Sequence, residues 1–401
     1  MTYELASSTW DHAEPAAIQQ VIDSGIYTMG KHVKQFEEDF ARKFGSKYAV
    51  MVNSGSSANL IAVAALFFKS NNPLKPGDEV IVPSISWATT YYPLMQYGLK
   101  LKFLDVDLHT LNMDVSQLEK ALTPKTRMVT AVSILGNPAC LDVIRKFCDT
   151  HNLYLLEDNC ESMGATLNQK NCGTFGDINT FSTFFSHHIS TMEGGVVVTD
   201  DEELYHLSHS LRSHGWIRNL PKDSKIFKPS DDDFYEAYRF VLPGYNVRPM
   251  EISGAIGIEQ LKKLDRLIEI RRDNAALFQQ LFKNDDRFII QKENGKSSWF
   301  SFTVILNPKY NLSRQKIMQA LKEADIQFRI ITGGNFLRHD VIKYCNHECV
   351  GNIVNANLAH DQGFFVGNHP YDITTHIRQF YDVLSKTADV LMKEKMAAYS
   401  G

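Results

Sequence analysis

Short apolar runs of four to six residues recur through the first two hundred positions. They are Tyr48–Val52, Glu79–Val82, Lys100–Leu104, Arg127–Val132, Leu153–Glu157, Thr180–Phe184 and Gly195–Thr199. Stretches of helical period separate most of them, among them Ser57–Phe68, Val115–Leu122 and Cys140–His151. A run this short and this apolar is a strand covered on both faces, and intervening helices supply the cover. The alternation predicts an α/β chain with a mainly parallel sheet. The last two runs lie close together, so the repeat is not strict.

Beyond residue 200 the texture changes. A helix is predicted over Asp201–Arg212, and then Gly215 to Pro249 turns rich in Pro, Asp, Lys and aromatics. A loop of this length is usually functional or mobile. Its acidic triplet, Asp231-Asp232-Asp233, reads as a solvated tip. A long helix follows, with Ile258, Leu261, Leu264 and Ile268 on one stripe. After it come a strand pair (Phe288–Gln291 and Trp299–Leu306), a helix near Arg314–Ala324, a further short strand and a terminal helix. The chain therefore divides into a large domain, residues 1–249, and a smaller α+β domain, residues 250–401.

Composition narrows the function classes. Forty-two Lys and Arg against 46 Asp and Glu leave a net charge of −4, without the basic footprint of a nucleic-acid binder. The longest apolar run, Leu60–Phe68, is far short of the roughly 20 residues that span a bilayer. The N-terminus lacks the basic start and apolar stretch of a signal peptide. A cytoplasmic protein with no membrane partner is expected. The six cysteines include no C-x-x-C pair, which supports neither a zinc ribbon nor a redox dithiol, and no metal is expected.

Three segments could carry chemistry. Asn53-Ser54-Gly55-Ser56-Ser57-Ala58-Asn59 joins a strand to a helix, and reads either as a phosphate cradle or as a plain Ser-capped helix start. Leu155-Leu156-Glu157-Asp158-Asn159-Cys160-Glu161 ends a buried strand on the side where open α/β sheets bind ligands. An acid there needs a partner, such as a protonated pyridine nitrogen, or else caps a helix. In Phe181 to Gly195 a strand enters a hydroxyl-rich turn with the pair His187-His188, followed by Glu193-Gly194-Gly195. Adjacent side chains diverge on regular structure, so the pair makes a poor chelate.

Together with Trp87 in Ser84-Ile85-Ser86-Trp87-Ala88-Thr89, these segments resemble the sugar aminotransferases that act on nucleotide-linked keto sugars. The resemblance runs from Gly25-Ile26-Tyr27-Thr28-Met29-Gly30 to the C-terminal domain. It implies the aspartate-aminotransferase (type I) fold, pyridoxal or pyridoxamine phosphate as cofactor, glutamate as amino donor and a homodimer with shared active sites. Gly55, Ser56 and Ser182 match the phosphate ligands. Asp158 matches the partner of the pyridine nitrogen, and by the same resemblance Trp87 would stack on the ring and Glu161 would order a water or the cofactor's oxygen. Asn246, in Pro243-Gly244-Tyr245-Asn246-Val247-Arg248-Pro249-Met250, would reach the neighbouring subunit's site. Tyr27, Met29, His214 and Arg218 would meet the nucleotide sugar.

One departure matters most. Counted back from Glu193-Gly194-Gly195, the family's cofactor-binding lysine falls on His187. Imidazole forms no stable imine, so the resemblance implies a noncovalent cofactor. His187 still moves protons, with an ordinary pKa near 6.5. That profile resembles the members that remove the C3 hydroxyl of a GDP-linked keto sugar. An iron–sulfur relative would need several cysteines after the histidine, and Cys172 to Cys345 holds none. An amine-forming transferase lacks its lysine here. A noncatalytic sugar-nucleotide binder would not be expected to keep the whole cofactor shell.

Overall fold

Neighbouring residues of the central strands face opposite cores. Val80 and Val82 pack against one layer of helices, while Ile81 between them packs against the other. The computed structural model describes residues 2–400, with side chains through residue 397. The strands are β1 (Tyr48–Val52), β2 (Glu79–Pro83), β3 (Lys100–Leu104), β4 (Thr126–Val132), β5 (Tyr154–Asp158), a small hairpin β6 and β7 (Thr166–Leu167 and Lys170–Asn171), β8 (Ile178–Ser182) and β9 (Gly195–Thr199). Four more follow, β10 (Phe288–Ile290), β11 (Ser301–Leu306), β12 (His347–Cys349) and β13 (Gly363–Gly367).

The helices of the first half are α1 (Ala13–Ser24), α2 (Lys31–Phe44), α3 (Gly55–Phe67), α4 (Ala88–Gln96), α5 (Leu118–Ala121), α6 (Leu141–His151), α7 (Glu202–Leu211) and α8 (Asp233–Glu236). The rest are α9 (Glu251–Phe282), α10 (Arg314–Glu323), α11 (Asn355–Gln362) and α12 (Thr374–Ser400).

The large sheet has eight strands in the order β1-β9-β8-β5-β4-β2-β3-β12. Only β9 runs against its neighbours; every other pairing in the sheet is parallel. The close spacing of the last two apolar runs reflects this, because residues 183–194 between them form no helix and turn the chain back antiparallel, whereas parallel neighbours are usually joined by a helical crossover. The apolar run Leu60–Phe68 forms most of α3 and its C-cap, and the helix is buried on nearly every side. No described helix is long and apolar enough to cross a membrane. Helices α1, α2 and α4 carry no expectation above. Helix α2 is strongly amphipathic, burying Val33, Phe36, Phe40 and Phe44 on one stripe.

A second core gathers around the antiparallel sheet β10-β11-β13, covered by α10, α12 and the C-terminal half of α9. Several segments cross the division expected at residue 249/250, among them the first half of α9, whose Leu261, Leu264 and Ile268 pack with Val33 and Phe36. Tyr3 is buried in the second core and donates from its hydroxyl to Gly367 O at 2.5 Å. Conversely, β12 adds to the edge of the large sheet beside β3. Stretch 215–249 is irregular apart from α8 and isolated bridges, as its composition suggests.

Candidate active site

The C-terminal ends of the parallel strands open onto one cleft of about 540 Å³. β1 leads to Gly55 and Ser56, β2 to Trp87, β4 ends at Val132, β5 at Asp158 and β8 at Ser182, and all six residues line it. This is the crevice where a parallel sheet presents ligands. Ser54 caps α3 by accepting from Ser57 N at 3.0 Å. A Cβ on Gly55 would lie 2.6 Å from Ser182 Cβ, so only glycine lets the helix start come this close to the end of β8. Ser56 Oγ donates to Thr89 Oγ1 at 2.9 Å, and Ser182 Oγ accepts from Phe184 N at 3.2 Å. Two hydroxyls and a helix N-terminus thus border one small space, a donor set that suits an anion.

On the cleft floor, Asp158 is buried and its Oδ2 accepts from Asn59 Nδ2 at 2.9 Å and Thr90 Oγ1 at 2.7 Å. Its Oδ1 accepts from Cys160 N at 3.2 Å. None of these donors carries a charge. Glu161 accepts from Leu135 N at 2.9 Å and from Thr332 Oγ1 at 3.4 Å. Burial, with Asp158 nearby, pushes its carboxyl up to about 7. Trp87 precedes α4 at the rim and is 60% exposed.

The two histidines have different partners, and His187 is half-buried while His188 is fully buried. His187 lines the cleft, and its Nδ1 lies 2.7 Å from Cys160 O. A carbonyl can only accept, so Nδ1 carries the proton and Nε2 keeps its lone pair. Burial pushes the imidazole down to about 4, well below its ordinary value, so it is neutral at pH 7. His188 lies wholly beneath the surface, with its Nε2 3.3 Å from Ser298 O. No lysine is among the described residues lining the cleft, and its one arginine is Arg329.

A model of the DegT/DnrJ/EryC1/StrS aminotransferase family matches residues 9–378. This chain belongs to that family. It is 52% identical over 388 residues to a GDP-4-keto-6-deoxy-D-mannose 3-dehydratase of Yersinia pseudotuberculosis, covering 96% of this chain and 99% of the relative. The enzyme of that name from Escherichia coli O55:H7 is 53% identical, covering 96% and 100%. A solved structure of GDP-4-keto-6-deoxymannose-3-dehydratase with a trapped PLP-glutamate geminal diamine superposes with a TM-score of 0.94 at 53% identity, covering 95% and 100%. The fold is the type I fold of pyridoxal-phosphate enzymes.

Not every residue singled out for this family member meets in the cleft. Tyr27, Met29, Arg218 and Asn246 line a separate pocket of about 590 Å³, with Trp216 and Arg248. Asn246 is exposed, and its Oδ1 accepts from Arg248 Nε at 3.0 Å. His214 stands beside this pocket in left-handed backbone (φ 64°), tied by its N–H to Tyr245 O at 2.6 Å. Sequence reasoning missed Asn59 and Thr90, which anchor Asp158. Each lies about one helical turn beyond a residue already singled out, Gly55 and Trp87, and that spacing was the available signal. Phe300, Arg329 and Thr332 also line the cleft, but they come from far downstream of the other lining residues' strands and no local pattern marks them.

Proposed function

We propose that this chain removes the C3 hydroxyl of GDP-4-keto-6-deoxymannose, giving GDP-4-keto-3,6-dideoxymannose. Glutamate supplies the reducing equivalents and leaves as 2-oxoglutarate and ammonia. The observation that carries the reading is a neutral histidine, not a lysine, at the family's lysine position in a cleft otherwise equipped for the cofactor. The likeness to two enzymes of this activity, at more than half identity, supports it.

The residues fit pyridoxamine phosphate. Gly55 lets the start of α3 lie against Ser182, and Ser56 and Ser182 line the cleft there as donors for a phosphate. Asp158, buried without a cationic partner among the described residues, suits a protonated pyridine nitrogen. Trp87 offers an aromatic face at the rim, and Glu161 a carboxyl poised near neutrality for the cofactor's oxygen or a water. When bound, the protonated ring supplies an electron sink for charge developing beside the sugar's carbonyl carbon.

The remaining chemistry belongs to the chain. The neutral His187 accepts a proton at Nε2, while the Cys160 carbonyl holds Nδ1–H and the ring's orientation. Having no amine, His187 leaves the cofactor noncovalent and exchangeable, which excludes the ordinary amine-forming cycle. Asn246, Tyr27, Met29, His214 and Arg218 serve the partner subunit's site in a homodimer, with Asn246 toward the cofactor and the others toward the nucleotide sugar. The test is incubation with pyridoxamine phosphate, glutamate and the GDP-linked keto sugar, alongside CDP- and TDP-linked ones. One ammonia per 3-deoxy sugar is expected with the GDP substrate; absence of both products overturns the reading.

A further inference from the structure

We infer that His188 and Phe300 are positioning residues that together aim the His187 imidazole, an inference resting on the reading of His187 as the base. His188 Nε2 donates to Ser298 O at 3.3 Å, and its ring centroid lies 5.6 Å from that of Phe300 at 60°. His187 meets the same phenyl ring at 5.2 Å and 69°. Both imidazoles thus contact one aromatic ring in the tilted arrangement aromatic pairs favour. Adjacent histidines with different partners converge on Phe300.

The backbone that carries this phenyl ring is held from both sides. Ser298 N donates to Gly136 O at 2.9 Å and Phe300 N to Leu135 O at 3.1 Å, threading a piece of the second domain into the first. A Cβ on Gly136 would come within 2.6 Å of Trp299 N, and Trp299 itself is left-handed (φ 47°). From α9, the buried Arg271 donates to Phe300 O at 3.1 Å and to Asn368 O. Asn368 Nδ2 closes the ring of bonds on Trp299 O at 2.8 Å. The Phe300 backbone cannot shift without breaking several of these, so His187 has two neighbours to orient it, the Cys160 carbonyl at Nδ1 and the phenyl ring that His188 also contacts. A small displacement of a base costs rate steeply.

The test uses His188→Phe, which keeps the ring and loses the donor, His188→Gln, which keeps an amide donor, and Phe300→Ala. The titratable and charged groups around His187 are Asp158, Cys160, Glu161, His188, Glu193, Arg271 and, across the cleft, Arg329. In cofactor-free protein, NMR should find His187 titrating near about 4, and Phe300→Ala should move it toward about 6.5. In the loaded enzyme, His188→Phe and Phe300→Ala should lower kcat ~10- to 100-fold with KM for the sugar within about twofold, and His188→Gln should recover most of the loss. An unmoved His187 titration with unchanged kcat, or a loss confined to KM, overturns the inference. Phe300 is only half-buried at the cleft, so its alanine variant keeps the question answerable if His188→Phe does not fold. A wild-type protein that forms no 3-deoxy sugar would sink the proposed function instead, and the NMR arm would still judge the positioning.

Discussion

A single amine at position 187 separates two kinds of cofactor site. His187→Lys should bind pyridoxal phosphate covalently, with a visible absorbance that survives dialysis, while dehydration falls by a factor of ~10²–10⁴. Cofactor that still washes out would count against this placement. Nearby, Glu161 and His187 push stability in opposite directions with pH. Glu161 has a folded pKa of about 7 against 4.5, so its contribution is fully present below 4.5 and lost as pH rises through 7. His187, at about 4 against 6.5, contributes above 6.5 and loses that contribution as pH falls through 4. Glu161→Gln should therefore raise the melting temperature at pH 8, by at most about 3 kcal/mol of stability, and do little at pH 4.5. Equal melting curves at pH 8 would refute it. The ordinary value near 6.5 is thus the wrong guide to His187: residue type was legible in the sequence, but its desolvation was not.

At the scale of elements, the site depends on how closely the start of α3 approaches the end of β8. Gly55→Ala should force Ser182 away, since its Cβ would sit 2.6 Å from Ser182 Cβ. A loss of ~10-fold or more in pyridoxamine phosphate affinity is expected, measured by fluorescence, with the secondary structure intact by circular dichroism. Unchanged affinity would show that the cradle is looser than drawn. This part of the molecule was readable early, because strand, glycine and helix start are consecutive in the chain. The same holds for Asp158, which ends a run of apolar residues. Thr90 and Asn59, which hold its carboxylate, needed one further step of helical counting. Phe300 and Thr332 could not be found that way, because they arrive from a fold-back more than 130 residues downstream of Asp158.

For the whole molecule, the separation of Asn246 from the cleft makes a strong claim about assembly. If Asn246 serves a partner's site, mixing inactive His187→Asn and Asn246→Ala subunits should create dimers with one native site. Random exchange should then recover about a quarter of wild-type activity. No recovery, with mixed dimers verified, would place Asn246 outside the partner's chemistry.

The sequence by itself determined the strand–helix alternation, the glycine at the start of α3, the acid at the end of β5 and the histidine ahead of Glu193-Gly194-Gly195. Each of these is local, written in side-chain period or in a few neighbouring residues. Tertiary structure alone decided that β12 and Tyr3 cross the expected division, that burial lowers the pKa of His187, and that Phe300, from far downstream, lies against it. Those outcomes depend on which distant surfaces exclude water from each other, and no local pattern records that.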